Sequence, residues 1–336
     1  MHANARILIT GGTGSFGHKL TETLLRDYRP ERIIIYSRDE FKQLNMQRRF
    51  SDPRMRYFIG DVRDRDRLVM AMRNVDVVIH AAALKHVEVA EYNPFEAVRT
   101  NIEGAENVVW AAIQAGVKRT IALSTDKAAN PINLYGATKL ASDKIFIAGN
   151  NLAAGEGSRF SVVRYGNVVG SRGSVVPYFK QLAGNGKDHV PITDPRMTRF
   201  WITLQDGVHF VLSSLEEMAG GEIFVPKIPS MSIPDLARAI APHLSHRVVG
   251  IRPGEKLHEV MITEADARTT VDMGNHYIIE PVIAKWGYRS RRRANGRAKP
   301  VPDGFCYASN TNQDWLDVDR LREITADIPA AGEDAA

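Results

Sequence analysis

Tyr135-Gly-Ala-Thr-Lys139 follows closely on Ser124-Thr-Asp-Lys127, and these two segments hold the residues best suited to chemistry. Tyr135 and Lys139 are four residues apart, so on a helix they share one face, a turn from each other. An ammonium beside a phenol favours the ionised phenol. The pair therefore suits removal of a proton from an alcohol while its carbon loses hydride. Asp126-Lys127 adds a second acid and base at the end of Arg119-Thr-Ile-Ala-Leu-Ser-Thr125, which reads as a strand. A simple alcohol oxidation needs one such set. Two sets point to oxidation coupled to a further proton transfer.

The elements that must position these groups follow from hydrophobic patterning. Arg6–Thr10, Arg32–Tyr36, Met55–Ile59, Asp76–His80, Arg119–Thr125 and Phe160–Arg164 are short apolar runs. Helical stretches separate them, one opened by Pro94 and closed by Gly116. Apolar strands alternating with helices predict a doubly wound α/β fold, with a parallel sheet covered on both faces. After Gly166 the alternation breaks, and Pro177, Pro191, Pro195, Pro226, Pro229 and Pro253 punctuate mixed structure that includes a helix over Ile233–Leu244. The chain of 336 residues is expected to form two lobes. A dinucleotide-binding lobe spans residues 1–165, with a returning segment near 203–230. A smaller mixed α/β lobe spans 166–202 and 231–328, and 329–336 reads as a frayed tail.

Gly11, Gly14 and Gly17 stand directly after the first strand and at the start of a helix. Glycines there permit a tight turn and close approach to a pyrophosphate, which the helix N-terminus stabilises. Thr13, Ser15 and Phe16 belong to the same loop. At the end of the second strand, Ser37, Arg38 and Lys42 supply a hydroxyl and two cations suited to the 2′-phosphate of NADP, with Asp39 pairing locally. Asp61 and Val62 are placed to meet the adenine. Ala81, Ala82 and Ala83 offer a small-residue shelf under the dinucleotide, and Lys85 reaches towards its ribose.

Bulk properties narrow the class. With 44% hydrophobic and 25% charged residues the chain is an ordinary globular protein. No signal pattern and no long apolar run is present, and one cysteine, Cys306, offers neither a disulfide nor a metal cluster. A cytoplasmic protein without a metal or a membrane partner is expected. The net charge of +5 is local: seven Lys/Arg lie between Lys285 and Lys299, and without them 37 basic residues face 39 acidic ones. That segment reads as a solvated basic loop, and it lacks the aromatics that would stack on nucleic acid bases.

Across nearly its whole length the chain resembles the extended short-chain dehydrogenase/reductase family. More narrowly, Ser124–Lys139, Ala82-Ala-Leu-Lys-His86, Gly166–Pro177 and Thr193–Arg199 resemble the inverting UDP-N-acetylglucosamine 4,6-dehydratases. Epimerases of the wider family do not usually carry Asp-Lys at 126–127, and retaining dehydratases place an acid at 127. The resemblance implies that Tyr135, helped by Lys139 and Thr125, takes the C4 hydroxyl proton as C4 loses hydride. Lys127, as an amine, then removes the C5 proton, and Asp126, protonated, donates to the departing C6 hydroxyl. Hydride returns at C6, and C5 is reprotonated from the opposite face. The product would be UDP-2-acetamido-2,6-dideoxy-L-arabino-hexos-4-ulose, the first step towards pseudaminic acid.

This scheme needs Asp126 and Lys127 both neutral. Burial, together with a nicotinamide cation and Lys139, is expected to depress the Lys127 pKa. Tyr135 and Lys139 would also touch the cofactor. The substrate is expected to meet Lys85, Thr125, Asn167, Arg172, Val175, Arg199, Arg252 and Glu255, and a homo-oligomer, dimer or hexamer, is implied. Two other readings stay open. One is a retaining dehydratase or 4-epimerase of a UDP-sugar. The other is a non-catalytic NADP-sensing protein that binds partners through Lys285–Lys299.

Overall fold

Six apolar runs become the parallel strands β1 (Arg6–Thr10), β2 (Arg32–Ser37), β3 (Met55–Ile59), β4 (Val77–His80), β5 (Arg119–Thr125) and β6 (Arg159–Tyr165). The structure is a computed structural model that describes residues 4–153, 157–170, 174–293 and 298–330. From one edge, the order β3-β2-β1-β4-β5-β6 continues through Ile223–Pro226, His276–Ile279, Thr270–Asp272 and Lys299–Pro300, making a ten-stranded sheet. Ile223–Pro226 pairs parallel to β6, and the last three strands add antiparallel. Strand order reverses between β1 and β4, and in such sheets the crevice beyond the carboxyl ends at that point receives ligands.

β1 is buried from Ile7 to Thr10, because helices cover both faces of the sheet. Helix α1 (Ser15–Asp27) buries Leu20 and Leu24 on one side, and the returning helix Leu204–Glu217 packs against it through Val208, Val211 and Leu215. The helical run after Pro94 is interrupted by a wider turn at Arg99–Glu103 before it resumes at Gly104–Gln114. The helix read over Ile233–Leu244 ends at Ile240, because Ala241 precedes Pro242 and cannot easily keep helical backbone.

Residues 231–328, expected to lie wholly in the smaller lobe, supply the sheet's antiparallel edge strands. Part of the rest of that stretch joins 166–202 around a second core of Val176, Phe179, Trp201, Leu236 and Leu321, while Met261, Ile262 and Tyr307 pack into the main one. The segment read as a solvated basic loop is partly knitted into the sheet edge. Arg291 stands 2.7 Å from Glu217 and 3.3 Å from Glu222, a buried acid that needs a counter-charge. Arg297 and residues 331–336 lie outside the described residues. Among the described residues, no helix is long and apolar enough to cross a membrane.

His80 ends β4 fully enclosed, its Nδ1 2.8 Å from the Thr10 hydroxyl. Burial, with a smaller push from Lys139, lowers its pKa from 6.5 to about 3. The unfolded chain therefore binds a proton at His80 before the folded chain does, so stability falls as pH drops from 6.5 towards 3. Thermal unfolding should show this loss, and His80→Gln should lose less across the same interval.

Candidate active site

The glycine loop after β1 illustrates why small residues stand here. Gly11 has φ +65°, and a Cβ on it would lie 2.8 Å from the Ala82 backbone. A Cβ on Gly17 would collide with the carbonyl of Gly12. Gly14 caps α1 with no side-chain hydrogen bond, so the first helical N–H groups face the loop. An anion can approach closely here, the geometry a pyrophosphate requires.

A cavity of about 760 Å³ opens over this loop and the carboxyl ends of the parallel strands. Gly11, Thr13, Gly14, Ser15 and Phe16 line its floor, while Gly17 packs behind against Gly12. Ser37, Arg38 and Lys42 line one end, with Asp61 and Val62 beside them. Ser37 meets Thr13 hydroxyl to hydroxyl at 2.8 Å, and Arg38 stands 3.5 Å from Asp61. Asp39 caps helix α2 (Glu40–Arg49) by accepting from the Lys42 N–H at 2.9 Å, and its carboxylate is also 3.4 Å from the Lys42 ammonium. Ala81, Ala82, Ala83 and Lys85 form the opposite wall. Burial lowers the Lys85 pKa.

At the other end the cavity reaches Thr125, Lys127, Tyr135, Lys139 and Asn167. Tyr135 and Lys139 sit on the helix Leu134–Leu152, whose cap Asn133 accepts from the Gly136 N–H at 2.7 Å. Gly136 lets that helix press against the turn Asp126–Ala128, because any Cβ there would strike the Lys127 carbonyl. The sequence thus brings both acid/base sets to one wall. Asp126 lies just behind it, fully buried, with the Thr125 hydroxyl donating to its Oδ1 at 2.9 Å.

Two electrostatic expectations need correction. Lys127 Nζ lies 3.1 Å from Asp126 and 3.2 Å from Glu259, with Asn167 Oδ1 at 3.5 Å. Burial works against its charge, yet attraction to Asp126 and Glu259 outweighs burial, and its pKa stands above the ordinary lysine value rather than below it. Tyr135 is not made more acidic either. Burial pushes its phenol up to about 12, opposed chiefly by the Lys127 charge rather than by Lys139. Lys139 itself is held below the usual lysine range by burial, partly offset by Asp143.

The remaining residues expected to touch substrate are placed differently. Arg199 is buried with its Nε 3.8 Å from Glu259, one step behind Lys127. Arg252 is 3.4 Å from Glu88, and its N–H donates to Glu255 at 3.3 Å, on a loop bound to the site through Asn133 and the Gly254 carbonyl. Val175 opens the helix Val175–Gly184 and does not line the cavity, and Arg172 lies outside the described residues. Tyr36, Tyr165 and Leu204 line the cavity without having been singled out, and Glu259 was missed. Among the described residues, no three His, Cys, Asp or Glu side chains gather to hold a metal ion.

Comparison with known proteins places this architecture among relatives. The model of the polysaccharide biosynthesis protein family matches residues 7–281. An inverting UDP-N-acetylglucosamine 4,6-dehydratase from Campylobacter jejuni subsp. jejuni serotype O:23/36 (strain 81-176) is 59% identical over 96% of this chain and 98% of its own. The X-ray structure of Pen from Bacillus thuringiensis matches with a TM-score of 0.87 at 34% identity, over 96% of this chain and 98% of that one. The dTDP-glucose 4,6-dehydratase DesIV from Streptomyces venezuelae, solved with NAD and TYD bound, matches with a TM-score of 0.69 at 25% identity, over 75% and 86%.

Proposed function

The chain belongs to the polysaccharide biosynthesis protein family, and we propose that it is an inverting 4,6-dehydratase of UDP-N-acetylglucosamine working with a tightly held nicotinamide dinucleotide. The observation that carries this reading is the meeting, on one cavity wall, of Tyr135, Lys139 and Lys127, with Asp126 buried 3.1 Å from Lys127 just behind it. The high identity to a dehydratase of that substrate supports it.

The loop Gly11–Phe16 and the N-terminus of α1 would hold the pyrophosphate, and the cradle between Gly11 and Ala82 fits the close approach this requires. When bound, the nicotinamide supplies a reversible hydride acceptor. Arg38 and Lys42 would face a 2′-phosphate, while Asp39, which lines the same end of the cavity, caps α2 and pairs with Lys42. NADP is therefore the form proposed. Arg38→Ala should weaken NADP binding by roughly tenfold or more while barely changing NAD, as loss of one charge-assisted contact implies. Titration of both dinucleotides checks this, and equal effects on the two would count against it.

The protein's own groups divide the work. Tyr135 takes the C4 hydroxyl proton, and Thr125, whose hydroxyl already reaches Asp126, steadies the oxygen. The C4 ketone acidifies the C5 proton, which Lys127, 23% exposed at the cavity, removes as the amine once its own proton has passed to solvent. Asp126 protonates the C6 hydroxyl as it leaves as water. Asn167, 3.5 Å from Lys127, would orient the sugar, and Arg252 and Glu255 would serve the nucleotide end, while Arg199 stays buried against Glu259. The product is proposed to feed pseudaminic acid synthesis. Incubating the purified protein with UDP-N-acetylglucosamine and no added cofactor tests the reading. A 6-deoxy-4-keto sugar nucleotide in the NMR spectrum is expected; unchanged substrate or a C4 epimer would refute it.

A further inference from the structure

Lys127 faces two carboxylates at nearly equal range, and both cannot be ionised around one ammonium at equal cost. The two differ in their surroundings. Glu259 is 2% exposed and enters just ahead of the strand Val260–Ile262, where its own N–H donates to Ser309 at 3.0 Å. Its Oε1 stands between two cations, Lys127 at 3.2 Å and Arg199 at 3.8 Å. Lys256, fixed by donating to the Ala129 carbonyl at 2.6 Å, adds a third positive charge nearby. Among the described residues, Asp126 has one cation in contact, Lys127 at 3.1 Å, and accepts from Thr125 on that same oxygen, with Lys256 acting on it from farther away. Each acid leaves its other oxygen, Asp126 Oδ2 and Glu259 Oε2, buried without a hydrogen-bond partner, so that cost is shared. The cations decide which stays ionised: Glu259 stands between Lys127 and Arg199, whereas Asp126 meets Lys127.

We propose that Glu259 is a positioning residue that serves as the standing counter-anion of Lys127, leaving Asp126 to hold the proton. The charge arrangement agrees on every side. Burial, opposed by Lys127 and reinforced by Glu259, raises the Asp126 pKa, while Lys127, Arg199 and Lys256 overcome burial to keep Glu259 ionised. Tyr135 is the remaining titratable group facing the pair, and it stays neutral. The assignment rests on the dehydratase reading for its purpose: a protonated Asp126 is ready to donate to a leaving hydroxyl, and Glu259 never touches the sugar.

Infrared difference spectroscopy tests it on the purified protein without substrate. The wild type should show the carbonyl band of a buried carboxylic acid at neutral pH, absent from Asp126→Asn. Glu259→Gln keeps shape and an accepting oxygen but removes the charge. Asp126 should then ionise against Lys127 and the band should vanish, returning as pH is lowered. Glu259→Asp, which keeps the charge, should retain the band and guards against a Gln variant that fails to fold. A band that survives in Asp126→Asn but is lost in Glu259→Gln would overturn the assignment, as would no band in the wild type. In turnover, Glu259→Gln should shift the descending limb of the dehydration pH profile to lower pH, since the acid now gives up its proton earlier. A wild-type profile in that variant overturns the proposal, whereas a wild type that never dehydrates the sugar overturns the functional reading and leaves the spectroscopic result standing.

Discussion

Lys127→Ala is expected to abolish dehydration, by roughly 10³-fold or more, while the dinucleotide stays bound and reduced nicotinamide still forms on mixing with UDP-N-acetylglucosamine. The split follows from geometry. Tyr135 and Lys139 sit on the helix Leu134–Leu152 and keep their place, whereas the group facing C5 is gone. The reaction would stall at the 4-keto stage. Stopped-flow absorbance of reduced nicotinamide, followed by NMR of the quenched mixture, reads both halves. Normal turnover would remove Lys127 from the mechanism. Stability should fall as well, because Glu259, 2% exposed, would lose the nearer of its two cations and keep Arg199 at 3.8 Å. Breaking a buried pair from one side typically costs about 3–5 kcal/mol. A lower melting temperature with cofactor still bound is thus part of the expected result.

Tyr135→Phe should fail earlier. Without the phenol nothing on this wall takes the C4 proton, and formation of reduced nicotinamide and of product should fall together by roughly 10²- to 10⁴-fold. In the wild type the Tyr135 phenol is held up to about 12 by burial, so the reactive ionised form is scarce at neutral pH. The sign is fixed: raising pH increases the phenolate fraction, and the first hydride step should quicken with pH below that value. Tyr135→Phe should lose that slope. A variant that oxidises C4 at the wild-type rate would show that another group removes the proton.

Much of the fold was legible because a covered parallel sheet writes its strands as unbroken apolar runs. β1, β3 and β5 fall on the residues expected, Arg6–Thr10, Met55–Ile59 and Arg119–Thr125. The antiparallel edge was not legible. Thr270–Asp272 and Lys299–Pro300 are three and two residues long, and their pairing depends on distant partners rather than on local pattern. The glycine loop and the Tyr135–Lys139 spacing were readable because close approach and helical periodicity constrain residue type locally. Glu259 was not, since a lone acid after Leu257-His258 reads as surface until the fold brings it against Lys127. The charge state of Lys127 was misjudged for the same reason. Burial alone predicts a depressed pKa, and Asp126 together with Glu259 reverses the sign.

Solvent hydrogen at C5 decides the central claim, that an amine at position 127 removes and a proton from the other face replaces that atom. The protein should be run in deuterated water with UDP-N-acetylglucosamine, and the 4-keto product analysed by NMR before it can epimerise. One deuterium at C5 with the L-arabino configuration is the predicted result. Product with the original C5 configuration, or with its original hydrogen, would contradict it.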